Sequence, residues 1–167
     1  MIATYSSLAT FQSMGKTYEN RDIWLSNKKR AFMDFGIHAR EWISPATGIY
    51  MINEFLTTYA SGADAKTILN AWELHIVPDL NPDGYAYSHS RDRKWRKNRK
   101  PTGDDCIGVD LNRNFGYKWN TGGSSANPCS DQFHGSSAMS ENETKALQSY
   151  MTGKIWTTYL TFHSYGQ

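Results

Sequence analysis

The sequence predicts an α/β fold with a mixed, largely parallel sheet flanked by helices. Short apolar and aromatic runs of strand length alternate with helical runs along the chain. The 14% aromatic content, with six Trp and ten Tyr, favours sheets and ligand pockets. Two histidines, His38 and His163, each follow directly on a predicted strand, and in α/β sheets ligands sit beyond the carboxyl ends of strands.

The elements follow in order. RAFMDFGI (30–37) is short, apolar and Phe-rich and reads as a buried strand. Ser44-Pro45 then opens a helix whose apolar positions, Ile49, Ile52, Phe55, Leu56 and Tyr59, recur at helical spacing. WELHIVPDL (72–80) reads as a second strand, stopped by the turn signal Asn81-Pro82-Asp83-Gly84. Residues 88–108 read as a long polar and basic loop, Gly108–Leu111 as a short strand, and 116–138 as a second loop. Ser140 and Glu143 have capping-box spacing at the start of a helix running to about Thr152. A final strand spans Ile155 to Phe162.

A chain of 167 residues, 39% hydrophobic and 20% charged, suits one domain with its own core and argues against disorder. The net charge of +2 is too small to indicate a nucleic-acid partner. One stretch is strongly basic: RDRKWRKNRK (91–100) holds seven basic residues and one acid, which suits either a polyanion patch or a solvated loop. Cys106 and Cys129 are 23 residues apart, unlike the close pairs of thiolate metal sites. A disulfide, and with it an oxidising compartment, is the natural reading, and two buried thiols are the alternative. Asn142-Glu143-Thr144 is a glycosylation acceptor sequence, which leans the same way. The first twenty residues do not read as a signal peptide, and no run reaches the eighteen apolar residues of a membrane span.

His38 and Glu41 form an H-x-x-E pair at a strand end, where both side chains can turn toward one point. Imidazole and carboxylate both suit Zn²⁺, and two His with one Glu leave a position open for water, as catalytic zinc sites require. His163, 122 residues beyond Glu41, is the natural third ligand. His75, His89 and His134 read as ordinary surface or core histidines.

Six motifs then occur in order: GIHAREWISPATGIY (36–50), NPDGY (81–85), RKWRKNR (93–99), GVDLNRNF (108–115), GSSAMSENET (135–144) and FHSYGQ (162–167). Together they resemble the zinc metallocarboxypeptidases of the pancreatic carboxypeptidase A/B type, over about the first half of that catalytic domain. The resemblance implies Zn²⁺ held by His38, Glu41 and His163. It implies that Arg96 polarises the scissile carbonyl and stabilises the oxyanion, and that Asn112 and Arg113 grip the substrate's terminal carboxylate. Arg40 would line the substrate's approach, Tyr165 a neighbouring subsite, and Cys106–Cys129 would be the disulfide. The implied substrate is a peptide or protein C-terminus, met by a monomeric extracellular protein with neither nucleic acid nor membrane as partner. The chemistry agrees, since Arg grips a carboxylate with a planar fork and a second Arg can neutralise an oxyanion. Segment 91–100 then frames an electropositive cleft, with Lys97, Arg99 and Lys100 read as solvated surface charges.

By the same resemblance, residues 1–167 are a partial peptidase domain without a pro-segment, shortened around Ser26–Lys29. The glutamate that serves as general base falls beyond Gln167. Little turnover is therefore expected of these residues alone. The alternatives are a truncated, inactive form that binds zinc or peptide carboxylates, and a zinc amidohydrolase of acylated amino acids.

Overall fold

A computed structural model describes residues 11–26, 30–103 and 105–164. Its strands are β1 (Phe11–Lys16), β2 (Asp22–Ser26), β3 (Ala31–Phe35), β4 (Leu74–Val77) and β5 (Thr158–Phe162). The helices are α1 (Ile43–Thr58), α2 (Ala63–Ala71), α3 (Pro82–Ser90) and α4 (Asn142–Met151), with a 3₁₀ turn at Leu111–Arg113. The strands form one mixed sheet in the order β1-β2-β4-β3-β5. β4, β3 and β5 run parallel, and β2 and β1 join antiparallel. An α/β architecture with a parallel centre is thus present as the sequence predicts.

Period-two alternation divides the sheet's side chains between two cores. Phe32 and Val77 point to one face, where they meet Ile23, Leu111 and, from α4, Ala146 and Leu147. Ala31, Met33 and Phe35 of β3, with Leu74 and Ile76 of β4, point to the other, where Ile52 and Leu56 of α1 cover them. Burial of β3 on both faces explains why it is apolar at every position except Asp34.

The seating of α1 differs from the predicted stripe. Its buried positions are Ser44, Pro45, Gly48, Ile52 and Leu56, while Ile49 is 50% exposed. The rotation lets α1 approach closely: a Cβ on Gly48 would sit 2.9 Å from the Phe35 ring. Asn81-Pro82-Asp83-Gly84 starts α3 rather than ending in a turn. The Asn81 side chain accepts from the Gly84 N–H and Pro82 occupies the first turn. Residues 108–110 form no strand and lead directly into the 3₁₀ turn. The capping box does not form either. The Ser140 hydroxyl donates to Glu141 Oε1, and Asn114 Oδ1 takes over the helix end, accepting from the Glu141 N–H and the Thr144 hydroxyl. Glu143, expected at the cap, is fully buried.

Candidate metal centre and active site

β3 and β5 are parallel neighbours in a register that pairs Phe35 with Phe162, so the segments leaving their carboxyl ends start side by side. Gly36, at φ +68°, turns the chain off β3; a Cβ there would fall 2.6 Å from Asp79 Oδ1. His38 follows, and the Glu41 N–H donates to the His38 carbonyl in the tight turn ahead of α1. His163 comes directly after β5, and its ring centroid lies 4.8 Å from that of His38.

The geometry converges on one carboxylate. His38 Nδ1 is 2.9 Å from Glu41 Oε1, and His163 Nδ1 is 3.1 Å from Glu41 Oε2. The Ser164 N–H donates to Glu41 Oε2 at 3.0 Å. One ligand atom from each of His38, Glu41 and His163 lies within 4.8 Å of the others, and among the described residues this is the one such group of metal-ligating type. Burial alone would raise the Glu41 carboxyl, yet hydrogen bonds from His163 and His38 hold it well below the usual carboxylate range. The carboxylate is therefore ionised, with an imidazole nitrogen facing each of its oxygens. Such a set, two nitrogens and a carboxylate where protons can be exchanged for a cation, fits a divalent metal such as zinc.

Behind the triad stands Asp110, fully buried. Its Oδ1 lies 3.1 Å from His38 Nε2 and also accepts from the Asn112 N–H at 3.0 Å. Its Oδ2 takes two bonds from Arg96, from Nε at 3.0 Å and Nη2 at 2.9 Å. Burial opposes ionisation of Asp110, but His38 and Arg96 overcome it and hold the carboxyl low. Burial likewise disfavours charge on His38, and its bonds to Asp110 and Glu41 raise it on balance. An ionised carboxylate only accepts, so Asp110 assigns the proton to His38 Nε2 and turns Nδ1 toward Glu41. Reading motifs by residue type passed over Asp110. The signal was its place in GVDLNRNF, together with the need of any ligating histidine for a partner on its outer nitrogen.

The other expected site residues have partners of their own. Arg96 and Asn112 are joined through Asp110. Arg113 donates from Nε to the Gly123 carbonyl and from Nη1 to the Asn112 carbonyl, which fixes it above the 3₁₀ turn. Arg40 donates from Nη1 to Asp131 Oδ2 and to the Lys94 carbonyl. Tyr165 lies outside the described residues. Cys106 and Cys129 form a disulfide with a Cα–Cα separation of 5.1 Å. That loop is further tied down by Lys97, whose Nζ donates to the Pro128 carbonyl at 2.7 Å.

The solvated reading of the basic segment is corrected. Lys97 is 4% exposed. The Arg99 guanidinium lies over the rings of Tyr87 (3.5 Å) and Trp95 (4.5 Å), and that of Arg93 over Trp42 (3.7 Å). Lys100 pairs with buried Glu141 at 3.0 Å. Four cations of this segment are thus held by aromatic faces, a carbonyl and a carboxylate. His75, His89 and His134 pack against Tyr150, Trp42 and Trp119 respectively and stand apart from the triad.

An α/β protein with two histidines and a glutamate gathered at the carboxyl ends of parallel strands belongs to a recognisable class of metal-site proteins. Comparison narrows the class: residues 1–167 match the family described as zinc carboxypeptidase. The chain belongs to that family. It is 43% identical over 164 residues to carboxypeptidase B of Homo sapiens, covering 92% of this chain and 39% of that protein. To zinc carboxypeptidase A 1 of Anopheles gambiae it is 41% identical over 162 residues, covering 92% and 37%. A crystal structure of thrombin-activatable fibrinolysis inhibitor superposes with a TM-score of 0.93 at 33% identity, covering 99% of this chain and 44% of that one. The carboxypeptidase A from Helicoverpa armigera superposes at 0.87 and 34% identity, covering 99% and 43%. The chain thus spans about two fifths of the length of these relatives.

Proposed function

We propose that the chain is the zinc-holding and carboxylate-gripping part of a peptidase domain that hydrolyses the C-terminal peptide bond of peptides and proteins. The observation that carries this reading is the convergence of His38 Nδ1, His163 Nδ1 and both Glu41 oxygens on one point. In this reading those three residues hold Zn²⁺. When bound, zinc polarises a carbonyl and lowers the pKa of a coordinated water.

The remaining residues have separate tasks. Asp110 uses the Nε–Nη2 edge of Arg96, which leaves the guanidinium's outer edge to face a developing oxyanion. Asn112 and Arg113, presented on one 3₁₀ turn, take the substrate's free carboxylate. Arg40, anchored to Asp131, lines the chain's approach, and Tyr165 serves the adjoining subsite. The disulfide and the family's pancreatic-type relatives support an extracellular setting. Among the described residues no helix is long and apolar enough to cross a membrane.

Peptide binding tests the reading. The zinc-loaded protein should bind peptides ending in a free carboxylate better than the same peptides ending in an amide, and Arg113→Ala should remove that preference. The comparison uses calorimetry on peptides ending in Phe and in Arg. Equal binding of acid and amide would contradict the reading.

A further inference from the structure

The two candidate histidine ligands differ in what stands behind them. His38 has Asp110 on its outer nitrogen. For His163 the corresponding group lies on β5 itself. Residues 159, 161 and 163 fall on one side by the alternation of an extended chain. Thr161 pairs across the sheet with Asp34 of β3, and its hydroxyl donates to Asp34 Oδ1 at 2.8 Å. Asp34 is fully buried. With the Thr161 proton committed to Asp34 in this bond, the hydroxyl oxygen keeps its lone pairs to accept from elsewhere. His163 Nε2 is 3.5 Å from that oxygen.

We propose that Thr161, oriented by Asp34, is the positioning residue for His163. It accepts from Nε2–H, which fixes the tautomer and leaves Nδ1 directed at Glu41. The arrangement makes the two ligands unequal: His38 is backed directly by a charge, His163 by a neutral hydroxyl that a buried carboxyl group orients. It explains why a β-branched hydroxyl residue sits on an exposed edge position whose cross-strand neighbour is an aspartate. Neither residue touches the metal or the substrate, so both act through His163. The inference rests on the reading of His163 as a zinc ligand, and its test separates the two.

Zinc affinity is measured by competition with a chromophoric chelator for the wild type, Thr161→Val, Thr161→Ser, His163→Ala and the Thr161→Val/His163→Ala double variant. Valine keeps the branched shape that suits the strand and loses only the hydroxyl. We expect Thr161→Val to bind zinc about 10–100-fold more weakly, the range carried by partners of metal ligands, and Thr161→Ser to match the wild type. In the His163→Ala background the valine change should add nothing further. Wild-type affinity in Thr161→Val, equal losses in the serine and valine variants, or an undiminished valine effect without His163 would each overturn the proposal. If His163→Ala itself binds as tightly as the wild type, the ligand reading fails instead.

Discussion

Replacement of Asp110 by alanine should lower the unfolding free energy by about 3–5 kcal/mol, the cost of removing one partner from a buried charge network. Asp110 is fully buried and joins three groups: His38 Nε2, both donors of one Arg96 edge, and the Asn112 N–H. Alanine leaves the Arg96 charge and the His38 N–H facing a void with no acceptor. Asparagine, which keeps the shape and one carbonyl oxygen, should cost less. Urea unfolding of the metal-free protein measures both. A loss below about 1 kcal/mol for Asp110→Ala would place the network's weight elsewhere. The zinc affinity of folded Asp110→Ala should also drop by about 10–100-fold, because His38 would no longer be held in one tautomer.

The second large effect depends on pH and centres on Glu143. Burial, with Glu141 and Asp83 nearby, pushes this carboxyl up to about 7 against hydrogen bonds from its own backbone N–H and from Asn98. The unfolded value is 4.5. Because the folded state holds the proton more tightly, stability declines as pH rises from about 4.5 to about 7 and then levels off. A shift of this size corresponds to about 3 kcal/mol. Glu143→Gln cannot ionise and can still accept from Asn98. It should therefore be more stable than the wild type by about 3 kcal/mol at pH 8, with the difference fading near pH 4.5. Denaturant titrations of both proteins at the two pH values check this, and a difference independent of pH would contradict it.

Much of the architecture was legible in the sequence because β3, β4 and β5 lie where apolar and β-branched runs meet Gly, Pro or Asn. Misreadings arose where one residue type serves two ends. Asn81-Pro82-Asp83-Gly84 has the composition of a turn, but an Asn side chain that accepts from a following N–H, with Pro next, also starts a helix. Helix α2 was missed because it buries only Ala65 and so carries little apolar periodicity. The basic segment was misjudged because local charge density does not reveal the aromatic faces of Tyr87 and Trp42, which sit on other elements. At the site, His38, Glu41 and His163 could be named from residue chemistry and family resemblance together. Asp110 could not, since its meaning comes from His38, 72 residues away in sequence. Thr161 likewise has a role only through the β3–β5 register.

Everything proposed for this chain depends on His38, Glu41 and His163 forming one zinc site. Diffraction from zinc-loaded crystals, collected on both sides of the zinc absorption edge, tests it most directly. The expected result is a single anomalous peak per chain, bonded to the Nδ1 atoms of His38 and His163 and to the Glu41 carboxylate. A zinc peak elsewhere in the molecule, or a fully loaded protein in which any of these three side chains points away from the metal, would contradict it.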